Sequence, residues 1–230
     1  MIKNKKKVPL TGKNILITAG STWVAIDRVR VITNIFSGRT GCIIAKEAEE
    51  RGAKVKLLLG PGRLNFPLSF FKGIKVVKYR YFDELLNLVK KEVSSKRYDA
   101  IIHSAAVSDY LLMKRYNKKI ASGKDSLIIE LKPAIKIIKE VKKWDPHIFL
   151  VQFKLEVGKK VKKLIEIGYK SMLKNKADLV VVNDLNKMDK DKHEAYIVDL
   201  EKNITKTDTR YSLANKLLRF IANKLNNVIM

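Results

Sequence analysis

The segment from Ser37 to Gly41, "SGRTG", has the residue types of an anion-binding turn ahead of an amphipathic helix. Small residues leave backbone N–H groups open at a helix N-terminus, where the helix dipole favours a negatively charged group such as a phosphate. The long preceding loop, residues 21–37, carries Arg30 and Asn34, whose spacing of four would let both project toward a bound anion. Ser37 alone is equally explained as a helix N-cap, and Asn34 alone as a turn residue.

The chain carries a large excess of positive charge. Among its 230 residues, Lys and Arg number 48 against 23 Asp and Glu, which gives a formal net charge of +25 and a pI near 10.0. The lysines are spread over nearly every segment and are not interleaved with aromatic residues, as a groove that stacks bases would require. Such a surface attracts polyanionic small molecules, and it would bind nucleic acid nonspecifically.

Cysteine usage and hydropathy favour a cytoplasmic protein. Cys42 is the single cysteine, so an internal disulfide is impossible, which agrees with a reducing compartment. No apolar run approaches the roughly 18 residues that a membrane span needs. Residues 1–12, "MIKNKKKVPLTG", lack the apolar segment of a signal peptide. We interpret them as a flexible basic lead-in to a single domain over residues 13–230.

Two apolar, partly β-branched runs frame the glycine-rich turn. Residues 13–20 and 53–62 each read as a strand stopped by glycine. Between them, residues 41–52 place small and apolar side chains toward one side and charges on the other, and Gly52 suits the C-terminal end of a helix. This pattern predicts a β–α–β unit.

The same alternation continues toward the C-terminus. Further strands are predicted at residues 75–79, 99–107, 148–153 and 177–184, and they alternate with helices near residues 82–96, 134–143 and 158–174. A hairpin around Glu201–Asn203 and a closing helix over 211–225 follow. The order favours an α/β fold with a Rossmann-like, doubly wound, mainly parallel sheet that ends in a C-terminal β-hairpin and helix.

Three connections are longer than such a fold needs, and long loops usually carry function: residues 21–37, 61–74 and 108–132. In open α/β sheets the ligand binds beyond the carboxyl ends of the strands, where this chain places Gly20, Ala105 and Phe153. Neither GxGxxG after the first strand nor GxxxxGK[ST] occurs, so both standard phosphate fingerprints are missing.

Five motifs occur in the order and spacing of one known family. They are "ITAGSTWVAIDRVRVITNIFSGRTG" (17–41), "SAAVSDY" (104–110), "KKIASGKDSLIIELKPAIKII" (118–138), "VQFKLE" (151–156) and "KADLVVVND" (176–184). Across about residues 13–225 the chain resembles the phosphopantothenoylcysteine synthetases, the phosphopantothenate–cysteine ligases of coenzyme A biosynthesis. The flavin-dependent decarboxylase half that often precedes this domain is not in the sequence, so the chain is similar to the stand-alone form.

The resemblance implies a ligase domain that depends on a nucleoside triphosphate. The carboxylate of 4'-phosphopantothenate attacks the α-phosphorus of CTP or ATP and expels pyrophosphate. The amine of cysteine then attacks the acyl-nucleotide, which releases the nucleoside monophosphate and leaves an amide. Because two polyanions must meet, the protein chiefly positions them and neutralises their charge. Mg²⁺ is expected to arrive on the triphosphate with few protein ligands, so no dedicated metal-binding residues are predicted.

The resemblance also implies roles for individual residues. Asn34 matches the residue that holds the acyl-nucleotide by its amide, and it lies with Arg30 and Ala105 on the phosphopantothenate side. The residues matched to nucleotide contacts are Gly20, Ser37, Gly38, Gly41, Ala105, Ala106, Asp109, Phe153, Lys154, Lys170, Lys174 and Asn183. One extra residue before "ADLVVVND" leaves the register of the last two lysines open.

A lysine of the long third loop is expected to act in catalysis. Lys119 matches the family's mobile-loop lysine, which neutralises charge as the α-phosphorus is attacked. Lys118 is adjacent and Lys124 lies in the same loop, so these two remain alternatives.

The chain also departs from the pattern of many bacterial members. Ser21 stands where they have Pro, residues 23–25 replace Arg-Glu-Pro, and residues 134–136, "AIK", replace "NPD". Side-chain contacts there would differ, whereas backbone contacts would survive. Choice between CTP and ATP is open, because Phe153 and backbone groups do not code for one base. By resemblance, we expect a homodimer.

Two other interpretations stay open beside the ligase. A Rossmann-type NAD(P)-dependent oxidoreductase would suit the first strand and turn, but the glycine spacing is wrong and no acidic residue closes the second strand, which ends "LLLGPG". A non-enzymatic basic nucleic-acid-binding protein would suit the charge. His103, His147 and His193 offer no zinc spacing and are not expected to form a site.

Overall fold

A computed structural model describes residues 8–123, 125–189 and 192–226 of the chain. Its strands are β1 Asn14–Ala19, β2 Trp23–Ala25, β3 Val31–Thr33, β4 Lys54–Leu59, β5 Ile74–Lys78, β6 Ala100–His103, β7 Tyr110–Leu112, β8 Leu131–Pro133, β9 Phe149–Glu156, β10 Leu179–Met188, β11 His193–Asp199 and β12 Ile204–Thr207. Its α-helices are α1 Arg39–Glu50, α2 Phe82–Ser94, α3 Ile137–Trp144, α4 Val161–Asn175 and α5 Arg210–Leu225.

An eight-stranded sheet forms the centre, in the order β12-β11-β10-β9-β6-β1-β4-β5. The strands from β10 to β5 are parallel, and the last hairpin, β11–β12, is antiparallel. The chain runs outward from β1 to β5 and then returns to build the other half from β6. The strand order therefore reverses between β1 and β6, which is where open α/β sheets bind ligands.

Two apolar layers cover the sheet. Helices α1 and α5 pack on one face, and α2, α3 and α4 pack on the other. Strand β1 is buried on both faces from Ile15 to Ala19, which explains its continuous apolar sequence. Helix α1 buries Ile44 and Ala48 against the sheet and ends before Gly52, whose φ of +87° suits glycine. The predicted doubly wound α/β fold with a C-terminal hairpin and helix is confirmed.

The long loops contain regular structure that the sequence pattern did not indicate. Strands β2 and β3 form a hairpin inside residues 21–37, and β7 pairs with β8 across residues 108–132. A short 3-10 helix, Leu68–Phe71, interrupts residues 61–74. Strands of three residues are too short for a period of two to be recognised, which is why these pairings were missed.

The packed domain begins before Lys13. Leu10 is fully buried against the layer of α1 and α5, and its N–H donates to the carbonyl oxygen of Arg51 at 2.8 Å. The expected flexible lead-in over residues 1–12 is therefore too long at its C-terminal end, because an apolar residue among the lysines packs into the core. Residues 1–7 lie outside the described part of the chain.

Among the helices of the described residues, none has the length and apolar character needed to cross a membrane.

Candidate active site

A cavity of about 600 Å³ opens beyond the carboxyl ends of β1, β6, β9 and β10. Its wall includes the first turns of α1 and α3 and one side of α4. Most of the sequence-predicted site residues line it: Gly20, Asn34, Ser37, Gly38, Gly41, Ala105, Ala106, Asp109, Phe153, Lys154, Lys174 and Asn183. Arg30, Lys119 and Lys170 are not among its lining residues. The fold thus gathers residues from five distant motifs at the predicted edge of the sheet.

The glycine-rich turn is shaped by the packing of the protein itself. Gly38 is the N-cap of α1 with φ of +83°, and an added Cβ would lie 2.5 Å from the backbone nitrogen of Gly20. A Cβ at Gly41 would lie 2.6 Å from the Cβ of Ala19. These glycines therefore let α1 approach the end of β1, rather than only making room for a ligand. The helix starts earlier than the predicted residue 41, so Thr40 also reaches the cavity with the first-turn N–H groups.

Asn34 lies between two cavities. Its side-chain Nδ2 donates to the carbonyl oxygen of Ala106 at 3.0 Å, and it lines both the main cavity and an adjoining one of about 290 Å³. The hydroxyl of Ser21 donates to the carbonyl oxygens of Asn34 at 2.9 Å and of Phe36 at 2.8 Å. Ser21, a departure from the bacterial pattern, therefore fastens the loop that carries Asn34.

The ends of β1 and β6 are joined by backbone contacts. The N–H of Ala106 donates to the carbonyl oxygen of Gly20 at 2.9 Å, and the N–H of Ala105 donates to the hydroxyl of Thr18 at 3.2 Å. Asp109 follows them and forms an ion pair with Lys136, a cavity residue at the start of α3. The departure at residues 134–136 thus brings a cation to the site.

Helix α4 presents a different face from the predicted one. Lys170 is not among the lining residues and forms an ion pair with Glu166 at 2.9 Å. Ser171, Lys174 and Asn175 line the cavity instead. Ser171 lies three and four residues before Lys174 and Asn175 and shares their face of the helix, so the lining holds only one lysine of the predicted pair. A nucleotide contact of Lys170 stays a prediction.

A neutral polar network lies beside that helix face. The amide Nδ2 of Asn175 donates to Oε1 of Gln152 at 2.8 Å, and Nε2 of Gln152 donates to the hydroxyl of Ser171 at 3.1 Å. Gln152 is buried on β9 and precedes Phe153, which faces the other side of the sheet. Sequence reasoning named Phe153 and missed the amides, because an isolated Gln or Asn carries no motif signal.

Two histidines, His103 and His193, border the same cavity, a position that the sequence did not indicate. A 3.0 Å hydrogen bond joins Nδ1 of His103 to the hydroxyl of Thr18, and a 3.1 Å hydrogen bond joins Nε2 of His193 to the hydroxyl of Thr40. Burial lowers the pKa of each imidazole to about 4, and for His193 the charge of Arg210 adds to the effect. Both rings are therefore neutral near pH 7.

The buried histidines predict a loss of stability in mild acid. Their pKa is about 4 in the folded chain and about 6.5 when unfolded, so protons bind the unfolded state preferentially as pH falls below 6.5. We expect the free energy of unfolding to drop by about 2 kcal/mol per histidine between pH 7 and pH 5. Urea unfolding of the wild type and of His193→Gln measures this, and the variant should lose about half of the pH dependence. An equal dependence in both proteins would contradict the assignment.

Arg30, Lys118 and Lys119 are not among the residues that line the cavity. The guanidinium of Arg30 donates to Asp27 at 2.6 Å, so the prediction that Arg30 projects with Asn34 toward an anion is wrong in this structure. Residue spacing of four does not align them, because β3 separates them as an extended strand. Lys118 and Lys119 are exposed on the segment between β7 and β8, and Lys124 lies outside the described residues.

No group of three or more His, Cys, Asp and Glu that could hold a metal ion occurs in the described part of the chain. The cations at the cavity are instead side chains: Lys136, Lys139, Lys154, Lys174, Arg39 and Arg210. An arrangement of open helix N-termini, cations and neutral amides is suited to a ligand that carries several negative charges.

Comparison with known proteins identifies relatives of the whole domain. The chain is 37% identical over 210 residues to the "Coenzyme A biosynthesis bifunctional protein CoaBC" of Thermococcus kodakarensis. This alignment covers 90% of this chain and 50% of that protein. The chain thus spans about half the length of the curated relatives it matches.

Solved structures share the architecture. The "DNA/Pantothenate Metabolism Flavoprotein" of Streptococcus pneumoniae matches with a TM-score of 0.83 and 32% identity, over 92% of this chain and 99% of that one. The C-terminal domain of a CoaBC protein matches with a TM-score of 0.77 and 28% identity, over 95% and 98%. A structure of Cab2 in complex with phosphopantothenate-cysteine, 18% identical, has the same fold.

A family model described as "DNA/pantothenate metabolism flavoprotein C-terminal domain" covers residues 10–225, the same stretch that forms the sheet, the helices and the cavity. With nearly the whole chain matched, the protein belongs to this family.

Proposed function

We propose that the chain is a cytoplasmic phosphopantothenate–cysteine ligase that uses a nucleoside triphosphate. The observation that carries the proposal is the cavity at the reversal of strand order. It combines Asn34, the α1 turn and several lysines, in a family whose relatives are named for coenzyme A biosynthesis. Roles of the individual residues are part of the proposal.

The reaction divides into two steps that a positioning site can support. First, the carboxylate of 4'-phosphopantothenate forms a bond to the α-phosphorus of the triphosphate, and the bond to pyrophosphate breaks. Second, the cysteine amine forms a bond to the acyl carbon, the nucleoside monophosphate leaves, and the amine gives up a proton. Each step moves negative charge on phosphate oxygens, so fixed donors and cations lower the barrier most.

The two sides of the cavity would bind different parts of the nucleotide. Near α1, first-turn N–H groups and the cations Arg39 and Arg210 suit phosphate oxygens. Small residues Ala105 and Ala106 leave room for a nucleoside against the end of β6. Phe153 can cover a base, and Asn183, which is buried and donates to the sulfur of Met188 at 2.7 Å, borders the same space.

Charge balance at the cavity agrees with a substrate that brings Mg²⁺ on its phosphates. Lys154 pairs with Glu156 at 3.0 Å and Lys136 pairs with Asp109, so two of the cations already have acidic partners. A triphosphate would compete with those acidic partners for the two lysines, and magnesium would arrive on the triphosphate with few protein ligands. CTP and ATP both remain candidates for this role.

A homodimer is part of the proposal. The hairpins β2–β3 and β7–β8 lie next to the site and expose several apolar side chains: Ile32, Ile35, Tyr110, Met113, Ile128 and Leu131. Exposed apolar side chains are typical of protein–protein interfaces where they form one patch. A second copy on the hairpins would lie beside Asn34 and close the smaller cavity.

No observation favours the two alternative functions. Strand β4 ends at Leu59 and is followed by glycine, so the acidic residue that binds the ribose of NAD is missing there. In the sequence, the lysines are not interleaved with aromatic residues, as a surface that stacks bases would require. Retention of mixed DNA or RNA at about 0.15 M salt would revive the nucleic-acid interpretation, because nonspecific binding is weak there.

Pyrophosphate release tests the proposed function. We expect release that requires 4'-phosphopantothenate and one clearly preferred triphosphate among ATP, CTP, GTP and UTP, with amide product formed only when cysteine is added. The physical reason is that activation of the carboxylate precedes and does not require the amine. Absence of release with all four nucleotides, in protein shown to be folded, would refute the proposal.

A further inference from the structure

Two segments of the chain meet at the carboxylate of Asp27, which is 2% exposed. One oxygen, Oδ1, accepts from the N–H groups of Val29 and Arg30, both at 2.8 Å, and closes the turn before β3. The other, Oδ2, accepts from the Arg30 guanidinium at 2.6 Å and from the N–H of Ile120 at 3.0 Å. The two oxygens therefore serve two different parts of the chain.

Arg30 completes the contact with Ile120. Its guanidinium also donates to the carbonyl oxygen of Ile120 at 3.2 Å, so both backbone polar groups of Ile120 are bound by the Asp27–Arg30 pair. The N–H of Tyr116 donates to the carbonyl oxygen of Ile26 at 3.0 Å and ties the same two segments nearby. The hydrogen bond from Ile120 is also the main cause that holds the pKa of Asp27 well below its usual range.

The segment held in this way spans residues 113–130 and carries the lysine assigned to catalysis. Pairing of β7 with β8 fixes its two ends. Between those ends its described side chains are mostly exposed, so little apolar packing orders it. Lys119 directly precedes Ile120, and consecutive Cα atoms are about 3.8 Å apart.

We propose that Asp27 and Arg30 form a latch that fixes the 113–130 segment at Ile120, and that Asp27 is thereby a positioning residue for Lys119. The positioning role rests on the proposed function, whereas the latch itself does not. Fixing one residue in the middle of a long loop removes much of the conformational freedom of its neighbour. Lys119 can then occupy fewer positions than it could in a loop that is not held at Ile120.

Asp27→Asn distinguishes the contact of the carboxylate with the turn from its contact with Ile120. The amide can keep one oxygen toward the turn, but its NH₂ group then faces the N–H of Ile120 and the guanidinium, where an acceptor is needed. We expect the hydrogen exchange of the Ile120 amide in the ligand-free protein to become about 10- to 100-fold faster, as for the loss of a hydrogen bond to a charged group. The amide of Ile17 in β1 should exchange as before.

The effect of Asp27→Asn on pyrophosphate release should depend on Lys119. We expect Asp27→Asn to lower kcat for pyrophosphate release about tenfold, with KM for the triphosphate changed less than about twofold, because a misplaced group costs rate rather than binding. In a Lys119→Gln background the same change should cost little more, since the group that it positions is already gone. Arg28→Ala, an exposed neighbour on the same turn, serves as the matched control and should change neither exchange nor kcat.

A second variant covers the case in which Asp27→Asn fails to fold. Arg30→Met leaves the turn contacts of Asp27 in place and removes the guanidinium from Ile120. Its Ile120 amide should also exchange faster, though less than in Asp27→Asn, because the carboxylate contact remains.

Each outcome decides a separate part of the inference. Unchanged Ile120 exchange in both variants overturns the latch. Faster exchange with an equal loss of kcat with and without Lys119 overturns the positioning role and keeps the latch. Wild-type protein that releases no pyrophosphate with any triphosphate refutes the proposed function and the positioning role together, while the exchange measurement still decides on the latch.

Discussion

Replacing Asn34 by Asp should reduce formation of the amide product by about 100-fold or more while pyrophosphate release continues. The amide of Asn34 is a hydrogen-bond donor at the edge of the cavity, where it reaches the carbonyl oxygen of Ala106 at 3.0 Å. An aspartate cannot donate there, and its charge would repel both that carbonyl and an acyl-nucleotide. In the proposed reaction the first step depends on the α1 turn and the cations, so we expect the carboxylate still to be activated. The intermediate is then lost to water before cysteine can attack it.

The two products should be measured in one reaction. Pyrophosphate is followed by a coupled assay, and the amide is followed by chromatography with labelled cysteine. Asn87→Asp is the matched control, because Asn87 is exposed on α2 outside the cavity and carries the same chemical change. If pyrophosphate and amide fall together in Asn34→Asp, the residue acts in the first step, and its assignment to the intermediate is wrong.

Much of the fold could be predicted because its signals are local. Strand β1 is a continuous apolar run stopped by Gly20, and α1 shows small and apolar residues on one face, so their order and pairing follow from the chain. The hairpin β2–β3 gave no such signal, since three-residue strands have no readable period. Leu10 was also missed, because one apolar residue among charges does not reveal that it packs into the core.

The location of the site could be predicted better than the direction of its side chains. Strand ends in a parallel sheet meet at one edge, so Gly20, Ala105 and Phe153 come together whatever their side chains do. Lys170 and Arg30 were placed by spacing and by resemblance, and neither reveals that Glu166 and Asp27 are their ion-pair partners. Such pairs are decided by tertiary contacts.

The structure shows which contacts are made by the residues that depart from the bacterial pattern. Ser21 replaces a proline and fastens the backbone at Asn34 and Phe36 with its hydroxyl. Lys136 replaces an aspartate and pairs with Asp109 at the mouth of the cavity. A sequence shows that such residues differ, but the contacts that compensate for them depend on segments far away in the chain. These substitutions change how the site is held together rather than where it lies.

Replacing Gly38 by Ala should both destabilise the fold and abolish tight nucleotide binding. The residue has φ of +83°, which costs an L-residue about 1–2 kcal/mol, and its new Cβ would lie 2.5 Å from the nitrogen of Gly20. Backbone cannot move aside as a flexible side chain can, so we expect a total loss of about 3 kcal/mol in the free energy of unfolding. The displaced turn would also carry the first N–H groups of α1 away from the phosphates.

Gly12→Ala separates backbone conformation from close packing. Gly12 has nearly the same φ, +80°, but nothing lies within 4 Å of its added Cβ. Urea unfolding should therefore show a loss of only about 1–2 kcal/mol, and triphosphate affinity by calorimetry should stay at the wild-type value. If Gly38→Ala costs no more than Gly12→Ala and still binds nucleotide normally, the approach of α1 to β1 is not what requires a glycine. The difference between the two losses of unfolding free energy, Gly38→Ala minus Gly12→Ala, measures the cost of the close contact with the backbone of Gly20. That contact lies in the turn that we propose holds the phosphates.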